Sequence, residues 1–150
     1  MQIITLEDFL EILAENGNPP YLYSLNNVNW QTSNIFKNLD AGIYQIYVKS
    51  QTNSCTAVAT SAVLFIPNAF TPNQDGYNDV WKVSNIEFFS NVKLKIFDKF
   101  GIQVFTAEDV LKFNWNGLYN GRILPSGTYW YVMEIDGHYT RTGWILLKNR

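Results

Sequence analysis

The sequence predicts an all-β protein, an immunoglobulin-like antiparallel β-sandwich built as two small units in tandem. Three observations carry this. Apolar and polar residues alternate along much of the 150-residue chain, the pattern of half-buried strands. Aromatics make up 16%, with nine Tyr and ten Phe, which suit a pleated surface. Clusters of Gly, Pro, Asn and Asp interrupt these runs at short intervals, as in sandwiches.

The first apolar segment is the one helical candidate. Over residues 6–15, Leu6, Phe9, Leu10 and Leu13 share a helical face, Thr5 is placed to cap it and Gly17 to stop it. Extension of this segment as a strand is the alternative if tertiary packing overrides propensity. Pro19 to Leu25, Asn29-Trp30 and Leu39 to Tyr44 complete a short first unit. In its strand at residues 43–49, Tyr44, Ile46 and Val48 face one way. A boundary near Phe65 divides residues 1–65 from residues 66–150, and the first unit is short enough to need packing support.

In the second unit, Val92, Leu94 and Ile96 alternate with Lys93 and Lys95, a strand with one buried face. Asp98-Lys99-Phe100-Gly101 turns the chain, with Gly101 left-handed, and residues 102–105 return antiparallel. Trp115-Asn116-Gly117, Asn120-Gly121 and Pro125-Ser126-Gly127 are turns. Residues 127–135 form a long strand, Asp136-Gly137 is a hairpin signal, and residues 139–147 are its partner.

Composition excludes several function classes. The net charge of −2 names neither nucleic acid nor an anionic membrane as partner. No apolar run approaches the roughly 18 residues of a membrane-spanning helix, so no direct membrane insertion is expected. The N-terminus lacks the basic stretch and apolar core of a signal peptide, so Met1 is read as an internal start of a secreted parent. Cys55, the single cysteine, has no partner for an internal disulfide and no zinc spacing, and reads as a small buried hydrophobe. His138, the single histidine, reads as a solvated turn residue. With no nucleophile elbow and no Cys–His pairing, enzymatic chemistry is not expected.

Residues 66–81, from Ile66-Pro67-Asn68-Ala69-Phe70 through Asn73-Gln74-Asp75-Gly76-Tyr77-Asn78-Asp79 to Trp81, stand apart. Pro fixes φ, Gly allows φ > 0, and Asn and Asp bond nearby backbone, so the loop has a set shape. One reading is a self-bonded loop in which Asp75 and Asp79 accept backbone N–H groups. A second is a calcium site on Asn73, Asp75 and Asp79, although the glutamate that would complete an EF-hand is missing. A third is a surface read by a partner. Trp81, Trp115, Trp130 and Trp144 are read first as core, with sugar stacking as the alternative. The terminal segment, with Lys148 and Arg150, reads as a last edge strand whose basic tail blunts pairing or is offered to a partner.

These residues carry a resemblance. Residues 66–150 resemble the gliding-motility-associated C-terminal domain, the type B sorting domain of the type IX secretion system. It is carried in order by residues 67–73, Asp75-Gly76, Asn78-Asp79, Trp81, residues 92–98, Gly101, Val104-Phe105, Trp115, Gly117, Asn120-Gly121, residues 124–131 and residues 142–148. The first unit is similar to part of an adhesin-type repeat, through residues 19–25, Trp30-Gln31, residues 39–44 and Ser54-Cys55-Thr56. The resemblance implies export through the periplasm and outer membrane to the cell surface or medium, with outer-membrane translocon proteins as partners and no cofactor. The residues expected to serve recognition are Asn73, Asp75, Gly76, Asn78, Asp79, Trp81, Lys148 and Arg150. Gln74 stands where the family usually has Gly, and Asn116 where it has Asp. The rival reading is a calcium- or carbohydrate-binding adhesion module.

Overall fold

A computed structural model describes residues 1–6, 8–52, 55–137 and 139–149. The chain divides into two compact units, Met1–Phe65 and Ile66–Arg150. Both are built of strands; among the described residues the only helical turns are short 3-10 segments at Ile86–Phe88 and Val110–Lys112. The all-β fold class holds.

In the first unit, β1 (Gln2–Leu6), β2 (Phe9–Leu13), β3 (Tyr21–Ser24), β4 (Ile35–Phe36), β5 (Gly42–Ser50) and β6 (Thr56–Val63) form two three-stranded sheets, ordered β1-β2-β4 and β3-β5-β6. Leu10, Ile12, Tyr23, Ile46, Val48 and Val63 form the core between them. A buried hydroxyl pair, Thr5 Oγ1 and Ser61 Oγ at 3.1 Å, ties β1 to β6.

The helix expected over residues 6–15 is not formed; β1 and β2 make an antiparallel hairpin there. As a strand, the segment sends Leu10 and Ile12, both fully buried, onto Ile46 and Val48. A helical stripe would instead have buried Leu13, which stays 36% exposed. Packing over a sheet outweighs a propensity difference of a few tenths of a kcal/mol per residue. Cys55 is exposed, not buried, because it lies in the connection between β5 and β6.

The second unit contains β7 (Ala69–Phe70), β8 (Trp81–Lys82), β9 (Lys93–Phe97), β10 (Gln103–Ala107), β11 (Asn114–Trp115), β12 (Leu118–Tyr119), β13 (Arg122–Ile123), β14 (Gly127–Ile135) and β15 (Tyr139–Leu147). Its main sheet has the order β10-β9-β14-β15-β7 and is antiparallel except where β7 joins β15 in parallel. Alternation sets the faces: Leu94, Ile96, Tyr129, Tyr131, Met133, Ile135, Ile145 and Leu147 all turn inward and are buried.

A second layer covers that face. β8 and β11 pair with Trp81 opposite Trp115, and both indoles are fully buried. Trp81 lies 5.4 Å from the Tyr131 ring and Trp115 lies 5.2 Å from the Tyr129 ring, centroid to centroid. Phe70 meets Trp115 at 5.2 Å. Gly143 lies directly across the ladder from Tyr131, and a Cβ there would fall 2.7 Å from the phenol ring. The glycine is therefore needed for space.

Two outcomes are expected. Gly143→Ala should lower stability by about 1–3 kcal/mol, read from urea unfolding, because the buried Tyr131 ring has nowhere to move. Burial raises the phenol pKa of Tyr23 and Tyr129 above 10.0, with the neighbouring Tyr21 and Asp98 adding to the respective shifts. A raised folded pKa means the stabilisation is complete below pH 10 and fades as pH climbs above it. Melting temperature should therefore fall in that range, and less steeply in Tyr129→Phe.

Candidate functional site

The loop at residues 71–80 is tied at its base. Thr71 N–H donates to the Asn78 carbonyl at 2.8 Å. The buried Trp81 indole N–H donates to the Pro67 carbonyl, which closes the segment across its full length. A buried Trp needs such a partner, so core packing and loop closure are one event.

Within the loop, Gln74, Gly76 and Asn78 all have positive φ, at 62°, 86° and 52°. Left-handed residues alternating with others turn successive N–H groups into one concavity, a nest suited to an anion. The anion is Asp79. Its Oδ1 accepts from Asn73 N–H at 3.0 Å and Gln74 N–H at 2.6 Å, and its Oδ2 accepts from Gly76 N–H at 2.8 Å. Asp75 accepts from Tyr77 N–H at 2.8 Å and from the Asn73 side-chain amide at 2.7 Å. Asn73 Oδ1 accepts in turn from Asp75 N–H at 3.2 Å.

The oxygens weighed as calcium ligands on Asn73, Asp75 and Asp79 all accept N–H donors from the loop itself, the self-bonded reading of the sequence. Among the described residues, no cluster of three or more His, Cys, Asp or Glu is placed to hold a metal. Sugar stacking loses two candidates, since Trp81 and Trp115 are spent in the core. Trp130 stacks on Phe97 at 4.5 Å, and Trp144 is 65% exposed.

The structure brings Asn73, Asp75, Gly76, Asn78, Asp79 and Trp81 into one closed loop. Lys148 lies beside its base: its N–H donates to Phe70, and Leu146 N–H donates to Asn68. The terminal strand is an edge along most of its length, as expected, but not at its end. β7 covers the end of β15, and Asn149 is pinned by Ser126 Oγ at 2.8 Å and the Leu124 carbonyl at 2.7 Å. A short sequence-distant strand claims these donors, which no local pattern announces. Arg150 and His138 lie outside the described residues.

Some surface residues carried no signal in the sequence. Tyr77 is 79% exposed at the loop tip. Val80 with Pro72, Leu118 and Ile123 lines a shallow cleft of about 290 Å³, edged by Gln74 and Asn116. The β12–β13 hairpin forms one wall. Its turn, Asn120-Gly121 with φ of 50° and 76°, was readable as a turn, though not as the hairpin it closes.

The second unit has comparators. Residues 64–147 match the family described as CHU_C Type IX secretion signal domain. The chain belongs to this family. The second unit is thus a type IX secretion signal domain, a secretion-targeting module that is read by the secretion system and implies export out of the cell. No curated protein matches the chain. A solved structure, "Biofilm associated protein - BSP domain", is similar at 13% identity and a TM-score of 0.37, covering 99% of this chain and 29% of its own. The chain therefore spans under a third of that protein.

Both departures from the usual pattern of the signal domain have physical readings. Asn116 Oδ1 accepts from Leu118 N–H at 3.2 Å, a role that asks for an acceptor and not for a charge. Gln74 keeps the left-handed backbone that favours glycine.

Three outcomes follow for the loop. Asp79→Ala should cost about 1–2 kcal/mol by leaving three N–H groups without their carboxylate. Gln74→Gly should raise stability by about 0.5–1 kcal/mol by relieving φ strain net of chain entropy. Calcium or EGTA should leave the melting temperature unchanged, as scanning calorimetry would show.

Proposed function

We propose that the type IX secretion machinery reads the folded second unit by shape, through the outer surface of the 71–80 loop, without making or breaking a covalent bond. The exposure of Tyr77 carries this reading. The loop spends its carboxylates on its own backbone yet holds a large aromatic ring almost fully in solvent. A rigid loop with an exposed aromatic anchor binds at small entropic cost. Lys148, exposed beside the loop base, supplies a second contact. The partners are outer-membrane translocon proteins. The route runs through periplasm and outer membrane, to the cell surface or medium.

The test fuses the whole chain to a reporter in a host carrying the secretion system. The parent fusion should leave the cell. Tyr77→Ser should cut export about tenfold, the effect of losing one aromatic anchor, while keeping the melting temperature. Lys148→Ala should give a smaller loss. A folded parent fusion retained in the periplasm would overturn the reading, and so would Tyr77→Ser exported like the parent.

A further inference from the structure

The two edges of the main sheet are built differently. At β10 the register shifts between Gln103 and Phe105, a bulge of the kind that turns an edge away from further pairing. β15 has no such device. It pairs with β14 without a shift from Ile135↔Tyr139 to Gly127↔Leu147, and β7 covers only Leu146 and Leu147 on its far side.

The β7 contacts fix which way the backbone points. Leu146 N–H reaches Asn68 at 2.8 Å and Lys148 N–H reaches Phe70 at 3.1 Å, so even-numbered residues of β15 turn outward and odd-numbered ones toward β14. Thr140, Thr142 and Trp144 therefore present N–H and C=O groups along an open row, in line with β7. Among the described residues β15 pairs only with β14 and β7, and β7 reaches only Leu146 and Leu147. Nor does the row carry the charges or prolines that blunt edges. Arg141 is 8% exposed with its side chain on the inner face, so its charge is not displayed.

We infer that the open row at Thr140, Thr142 and Trp144 is a strand-addition site for an extended, uncharged segment of a secretion-machinery protein. The inference rests on the reading of the second unit as the part the machinery recognises. β7 already demonstrates the pairing on the same row, and an added strand continues it. Trp144, 65% exposed, stands on the outer face across the ladder from Trp130, which stacks on Phe97. An added strand gains specificity from its alternate side chains, and here an apolar one meets Trp144. Pairing with a second copy of β15 about Thr142 would set the Gly137 turn of that copy opposite Leu147, in the place β7 already occupies, whereas an independent segment can end before β7. The geometry therefore favours a different chain.

Thr142→Pro removes the outward N–H and leaves the bonds to β14, whereas Thr142→Val keeps the backbone row and loses only the hydroxyl. In the whole-chain reporter fusion, Thr142→Pro should cut export about tenfold while Thr142→Val exports like the parent, as expected of recognition through main-chain bonds. Benzoylphenylalanine at position 140, in an otherwise unaltered chain, should photo-cross-link to a secretion-machinery protein in exporting cells; this decides the matter if Thr142→Pro does not fold. A folded Thr142→Pro exported like the parent overturns the edge site alone, as does a cross-link only to a second copy of the chain, or none. A parent fusion that is not exported overturns the functional reading and the edge site with it.

Discussion

The second unit depends on one stack: the paired indoles of Trp81 and Trp115 seated on Tyr131 and Tyr129. Each indole is fixed both by the ladder to the other and by a tyrosine ring beneath it. Trp81 faces Trp115 across a two-residue ladder, and each rests on its own ring of a single strand. Such rings bury 150–250 Å² apiece, so this cluster outweighs any other contact in a unit of this size. Burying an indole leaves its N–H in need of an acceptor. For Trp81 that acceptor is the Pro67 carbonyl, fourteen residues earlier. The loop between them is thus clamped by the core.

What the clamp holds is a surface defined by geometry more than by charge. Asp79 fills the nest made by its own loop, so its charge is largely internal to the fold. The chain's low net charge agrees with this. Long-range steering contributes little to such a surface, and discrimination falls to shape and hydrogen-bond register. If the machinery reads this surface, as proposed, unfolding erases the signal even with every residue present.

Legibility in the sequence followed locality. The β9–β10 and β14–β15 hairpins were readable because alternation and turn residues lie within one stretch, as with Leu94, Ile96 and Gly101. The self-bonding of the loop was readable from Asn73, Asp75 and Asp79, since those bonds span six residues or fewer. The N-terminal hairpin was misread because its partners, Ile46 and Val48, lie over thirty residues away and decide which face of β2 is buried. The cover on β15 was missed for the same reason: a two-residue strand that joins in parallel leaves no periodic trace. Tyr77 gave no sign because exposure at a loop tip is a property of the fold.

The parallel union of β7 with β15 places the beginning and the end of the signal domain side by side. During synthesis, Asn68 and Phe70 have no strand to join until residues 139–148 have left the ribosome. The Phe70–Trp115 contact and the loop base next to it therefore wait on the last strand. A product cut short before β15 lacks the closing strand and cannot display the finished surface. Export that reads this surface would discriminate against unfinished chains without a separate proofreading step.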